Sequence, residues 1–191
     1  MRHGERGYSL AEMMVALGIV AILGTLGLSG LRNYFEDCKL LGAARVFHGC
    51  FLRARSIATK TSVYTAIRFE VRDDGIYYSL YRDGNYNGVL SKDIKAGRDP
   101  RLEGPYRLDG GVSGVRVGII PGIPAPDGGT IDAEDPVKFG RSDTLSFSPL
   151  GTATPGTFYL ATYRTQAAVR VTGTNARVRI MLCRGRVWER R

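Results

Sequence analysis

Between Tyr8 and Leu31 the chain reads "YSLAEMMVALGIVAILGTLGLSGL", where the only ionisable side chain besides the Tyr8 phenol is Glu12. Coiled at roughly 1.5 Å per residue, this run makes a helix of about 36 Å, against a hydrocarbon core of about 30 Å. The stretch is therefore expected to be a helix long enough to span a membrane. A carboxylate well inside such a span costs on the order of 2.5–3.5 kcal/mol. Two arrangements offset that cost. Glu12 reaches the headgroups from the end of a single-pass anchor, or it meets a cation supplied by another chain. Cutting after Gly7 would give Tyr8 a free α-amino group. The ammonium of one subunit would then neutralise Glu12 of its neighbour and set the axial register of a helical stack.

The helix is expected to continue beyond the apolar run. From Arg32 to Thr59 there is no proline, and Ala43, Phe47, Cys50, Phe51, Ala54, Ile57 and Ala58 recur at three- and four-residue spacing. That stripe suits packing on a sheet. Strands are expected next in "SVYTAIRFEV" and "GIYYSLYR", joined by a hairpin turn at "RDDG". The stretch 83–111, rich in Gly and Asp, reads as irregular. "VSGVRVGII" reads as a strand and "PGIPAPDGGTIDAEDP" as a loop inserted within one sheet domain. The last third reads as strands in "TLSFSPLG", "GTFYLATY", "AAVRVTG", "RVRIMLC" and "RVWER". The fold class is α+β: a long N-terminal helix, transmembrane in its first half and amphipathic in its second, packed on a C-terminal antiparallel β-sheet domain. About 160 residues beyond the apolar run suffice for one ordinary domain.

The segment "G-YSLAEMMVALGIVAILG" closely resembles the class III prepilin signal of type IV pilins and type II secretion pseudopilins. The family usually starts with Phe where Tyr8 stands here. The resemblance implies cleavage by a prepilin peptidase after Gly7, N-methylation of Tyr8, and an assembly role for Glu12. It implies other pilins or pseudopilins, the inner membrane and its assembly platform as partners. Arg2 and Arg6 favour a cytoplasmic leader. The globular part would then lie in the periplasm, as part of a filament. An ordinary secretory signal fits less well, because Glu12 would sit inside its apolar region. Near the other end, Phe147 and Gly151, Gly156 with Thr157, and Arg177 with Arg179 resemble the GspH/FimT family of minor pseudopilins and minor pilins. Ala176 stands where that family has a glycine. The organisation implied is a leader over 1–7, a transmembrane and assembly helix over 8–31, an amphipathic continuation over 32–60, and a β-rich GspH/FimT-like periplasmic domain over 61–191.

Three further groups carry chemistry. In "DGNYNGVLSKD", Asp83, Asn85 and Asn87 alternate ahead of Gly88, followed by the Val89 carbonyl, Ser91 and Asp93. This spacing lets oxygens converge on Ca²⁺, although the closing acid comes one position early and no helices flank the loop. An ordinary Asn/Gly turn accounts for the same composition. The formal net charge is +9, and from Arg164 to Arg191 there are eight arginines and one acid, Glu189. Arg177 and Arg179, with Arg184 and Arg186, form a candidate surface for DNA phosphates, Trp188 being placed to stack. Some FimT-like minor pilins bind DNA with a comparable strand. The same arginines also suit acidic groups on a neighbouring subunit. Of three cysteines, Cys38 lies about 18 Å along a straight helix from Cys50, beyond disulfide reach. Cys50 with Cys183 is the candidate disulfide, the alternative being free thiols. His48 has no catalytic motif around it, and no nucleophile elbow, P-loop, Cys-x-x-Cys or His-Glu-x-x-His occurs. No enzyme is expected.

Overall fold

The computed structural model describes residues 8–108, 114–140 and 142–191, without the side chains of residues 26–29 and 32. Gly7 and the rest of the leader lie outside the described residues, as does the start of "VSGVRVGII". The chain divides into two units, Met1–Asp37 and Cys38–Arg191.

Helix α1 spans Leu10–Thr61. It ends where Ser62 takes a left-handed backbone, with φ of 55°, the usual way a helix is stopped. In the first unit its apolar side chains, Leu10, Met14, Leu17, Val20 and Leu23 among them, are exposed. Among the described residues no helix is long and apolar enough to cross a membrane. The expected span 8–31 includes residues 26–29, whose side chains are not described.

The second unit contains the rest of α1 and two antiparallel sheets. Strands β1 (Thr65–Arg72) and β2 (Gly75–Arg82) form the expected hairpin, closing Arg72 on Gly75. The region expected to be irregular instead holds a short helix α2 (Ser91–Lys95) and strand β3 (Arg101–Arg107). The expected strand across "VSGVRVGII" is reduced to β4 (Arg116–Val117), and β5 (Val137–Phe139) follows the proline-rich loop. Then come β6 (Thr144–Phe147), β7 (Gly156–Ala161), β8 (Gln166–Val171), β9 (Val178–Arg184) and β10 (Val187–Arg190). One sheet has the order β3-β2-β1-β6; the other runs β10-β9-β8-β7-β4, with β5 also on β7. The expected antiparallel β domain on the helix is present, built as two sheets because β6 crosses back to pair with β1.

Both sheets turn an apolar face to the second half of α1. Leu40, Ala43, Ala44, Phe47, Phe51, Ala54 and Ala58 are buried there, with Cys50 and Ile57 partly covered. Small alanines bring the helix close to the strands, and phenylalanines fill the space between. Phe51 meets Phe69, Phe139 and Phe158 at centroid distances of 6.4, 5.9 and 6.3 Å, all edge to face, the geometry aromatic quadrupoles favour.

Candidate functional site

At the head of α1, the Ser9 N–H donates to Glu12 Oε2 at 3.1 Å and the Glu12 N–H donates to Ser9 Oγ at 3.4 Å. This is a capping box, in which Ser9 is the N-cap and Glu12 the third helical residue. The carboxylate therefore has a partner within its own chain. The Ser-x-x-Glu spacing of "SLAE" is the sequence signature of this box. Tyr8 and Glu12 are both exposed. One carboxylate oxygen caps the helix, and the other keeps its acceptor capacity.

The "DGNYNGVLSKD" loop closes on N–H donors. Asp83 accepts from the backbone N–H groups of Asn85 and Gly88 at 3.0 and 2.7 Å. Asp99 accepts from those of Gly84 and Leu90 at 3.1 and 3.0 Å. Asp93 lies in α2, accepts from the Asn87 amide at 3.1 Å and pairs with Arg98 at 3.1 Å. The amide of Asn87, then that of Asn85, holds the Asp93 carboxyl below the ordinary aspartate value, with Lys92 and Arg98 adding to the effect and burial opposing it. Among the described residues no group of three or more His, Cys, Asp or Glu is placed to hold a metal ion. The expected Ca²⁺ ligands Asp83, Asn85, Asn87, Val89, Ser91 and Asp93 thus stand in a loop already braced by amides and an arginine. The alternation that suits a cation equally suits backbone turns.

Cys50 and Cys183 are free, as is Cys38, which corrects the expected disulfide. The reason is strand alternation. Leu182 faces the core with Cys50, whereas Cys183 shares the opposite face with Met181. Burial pushes the Cys50 thiol up to about 11, Glu103 adding to the effect and Arg53 opposing it.

The arginines distribute differently from the expectation. Phe158, Val169 and Ile180 point into the core, so Thr157, Arg170 and Arg179 occupy the outer face of the second sheet. Arg184 falls on the other side of β9, and Arg186 sits in the β9–β10 turn with φ of 74°. The sheet instead groups Arg179 with Arg177, Arg170 and Arg190. The nearby charge of Arg177, then burial, then Arg190 and Arg170 lower the Arg179 value, and its Nε is buried without a hydrogen-bond partner. Arg170 escaped sequence reading because strand register, not sequence spacing, brings it to Arg179. Trp188 does not stand free for stacking: its indole N–H donates to the Pro124 carbonyl at 2.8 Å and pins the proline-rich loop over this face. Ala176 has φ of 45° and is fully buried. The turn keeps the left-handed backbone although a Cβ makes it less favourable by about 1–2 kcal/mol.

Residues 2–28 match the family described as the prokaryotic N-terminal methylation motif. Over 43 residues, 22% of this chain, the sequence is 37% identical to prepilin peptidase-dependent protein D of Escherichia coli (strain K12). That match covers 30% of the relative's length. No solved structure matches the chain.

Proposed function

We propose that this type IV pilin-like chain, which carries a class III prepilin signal, is a minor pilin or pseudopilin. It would assemble into, or initiate the tip of, a type II secretion pseudopilus or a type IV pilus. One observation carries the reading: the signal stands at the head of a helix whose described apolar side chains, from Leu10 to Leu23, are exposed. Apolar side chains left bare over such a length call for lipid or other helices. In this reading the leader stays cytoplasmic, the apolar run anchors the precursor in the inner membrane, and the β-rich part lies in the periplasm. A prepilin peptidase cuts between Gly7 and Tyr8, and the new amine is methylated. The chain then works by packing, and nothing in its site chemistry asks for turnover.

The capping box fits that sequence of events. Glu12 Oε2 caps its own helix while Oε1 accepts from the Tyr8 ammonium of the adjoining subunit. Charge-assisted hydrogen bonds contribute about 1.5–3 kcal/mol, comparable to the penalty of placing the acid in lipid. Intact-mass analysis of the chain, expressed with and without an active prepilin peptidase, tests the reading. The expected result is loss of residues 1–7 and gain of one methyl group. Recovery of the full-length chain from cells that process other pilins would sink it.

A second reading is favoured by the cluster of Arg170, Arg177, Arg179 and Arg190: a FimT-like minor pilin that binds DNA during uptake. Phosphate contacts by these side chains would weaken steeply with salt. Retention of duplex DNA, lost on Arg177→Ala with Arg179→Ala and shrinking from 50 to 200 mM salt, would support it. Retention indifferent to both would remove it.

A further inference from the structure

The outer face of the second sheet carries a row of cations that no packing requirement explains. Register places Lys138 of β5 opposite Thr157 of β7, Thr157 opposite Arg170 of β8, and Arg170 opposite Arg179 of β9. Directly paired residues project from the same face, and like charges placed so are destabilising. Three cations therefore share one rung of four strands spaced about 4.8 Å apart. Arg170 pairs with Asp127 from the proline-rich loop at 3.0 Å. Among the described residues no acid is paired with Lys138 or Arg179.

A cavity of about 590 Å³ lies over the first three positions of this rung. Lys138, Thr157 and Arg170 line it, with Thr172 beside Arg170 and Asp127 and Thr130 on the loop side. The loop wall is anchored by Trp188 on Pro124 and by Ile131 against the cluster of Ile119, Tyr159 and Ala168. The volume falls in the range of small-molecule sites, and a duplex does not fit a pocket of that size. The Asp127 side chain is 59% exposed, so its bridge to Arg170 contributes little and is readily exchanged. Arg170 has five N–H donors, of which Asp127 occupies part.

We propose that this pocket binds a compact oxyanion, a phosphate or carboxylate group of a small molecule or short flexible chain, held between Lys138 and Arg170. Thr157 stands between them on the rung, and Arg179 adds long-range attraction from the next strand. Asp127 acts as an internal placeholder: it keeps the guanidinium oriented and competes with the ligand. The proposal is independent of the filament reading, since it uses nothing of the N-terminal helix; it shares Arg170 and Arg179 with the DNA reading but is told apart from it by Lys138, which that reading does not use.

Calorimetric titration of the full-length chain in neutral detergent tests it, with inorganic phosphate in one arm and citrate in the other. Saturable binding to either probe is expected, weakening as sodium chloride rises. Lys138→Met should weaken it about tenfold or more, as loss of one charge-assisted hydrogen bond implies. Arg170→Gln should do the same, and Asp127→Asn should tighten it by removing the competitor. Lys95→Met, an exposed lysine on α2, should leave it unchanged. Phosphate binding alone points to a phosphorylated ligand, and citrate binding alone to a carboxylate; either supports the site. Absence of binding to both, or equal binding by wild type, Lys138→Met and Lys95→Met, overturns it. Lys138 is exposed, so that variant keeps the test decisive even where Arg170→Gln folds poorly.

Discussion

The two halves of α1 are both rich in apolar residues, yet they meet opposite fates. In Leu10–Leu31 the side chains of Leu17, Val20 and Leu23 are each more than 60% exposed, whereas Leu40, Ala44, Phe51, Ala54 and Ala58 in the second half are 0% exposed. The first half is apolar on every side. The second is apolar on one stripe and carries Arg45, Arg53 and Arg55 around it, with Arg53 pairing to Glu103 of β3. An all-round apolar helix has no preferred face to offer a single sheet. It is suited instead to surroundings that cover it on all sides, such as lipid or a bundle of identical helices. Exposure in one half and burial in the other thus separates surface meant for other molecules from surface meant for the chain's own strands.

The largest break in that comparison should come from Glu12→Gln. This variant should be cleaved by the peptidase as wild type is, but should not enter filaments, read by shearing and immunoblotting. Normal incorporation would remove the proposed contact with the neighbouring amine. The fold of the Cys38–Arg191 unit should be untouched, since among the described residues the hydrogen bonds of the Glu12 carboxylate are to Ser9, at the head of the other unit.

A paired truncation measures the same contrast as stability. Phe51→Ala removes a fully buried ring that touches Phe69, Phe139 and Phe158 and should destabilise the domain by about 3–5 kcal/mol. Leu17→Ala removes a side chain that is 64% exposed and should stay within about 0.5 kcal/mol. Thermal or denaturant unfolding of the full chain in detergent compares them. A large loss from Leu17→Ala would mean that the first half is packed within the monomer after all.

Sequence periodicity carried the helix and most strands well, because burial there is local to one element. The three- and four-residue spacing of Phe47, Phe51, Ala54 and Ala58 states which face is covered, and the two-residue link at Asp73 and Asp74 states the hairpin. What it could not carry was pairing between distant strands. Nothing in "TLSF" says that β6 leaves its sequence neighbours to join β1, so the division into two sheets was not legible. β3 was missed because its exposed residues show no alternation of burial. The same limit explains the sites. Ser9 and Glu12 were legible as a pair, whereas Lys138, Arg170 and Arg179 become neighbours only once the register of β5, β7, β8 and β9 is known.

Acid should act on the loop that Asp93 holds. Asp93 is fully buried, and its carboxyl is held below the ordinary value of 3.8, chiefly by the Asn87 amide. A depressed folded value means that the stabilisation is complete above the unfolded value. It is lost as the pH falls through the lower folded one. Unfolding of the Cys38–Arg191 unit should therefore become easier below about pH 4, and Asp93→Asn should flatten that dependence while weakening the loop at neutral pH. A pH profile unchanged by Asp93→Asn would assign acid sensitivity elsewhere.

The smallest effect is the most discriminating. Ser9→Ala deletes the hydroxyl that caps Glu12 N–H and should lower helix stability by about 1 kcal/mol. That loss should be confined to the first turn and visible as faster amide exchange at Ala11 and Glu12. It leaves the Glu12 carboxylate in place. If the carboxylate serves the neighbouring subunit, Ser9→Ala still enters filaments while Glu12→Gln does not. If its whole purpose is to cap its own helix, Glu12→Gln should still enter filaments, since a glutamine side-chain oxygen accepts the Ser9 N–H as well, and Ser9→Ala should be the variant that fails. Dependence of incorporation on the carboxylate but not on the hydroxyl would show that the acid in this apolar helix answers to another molecule, as the bare first half of α1 does.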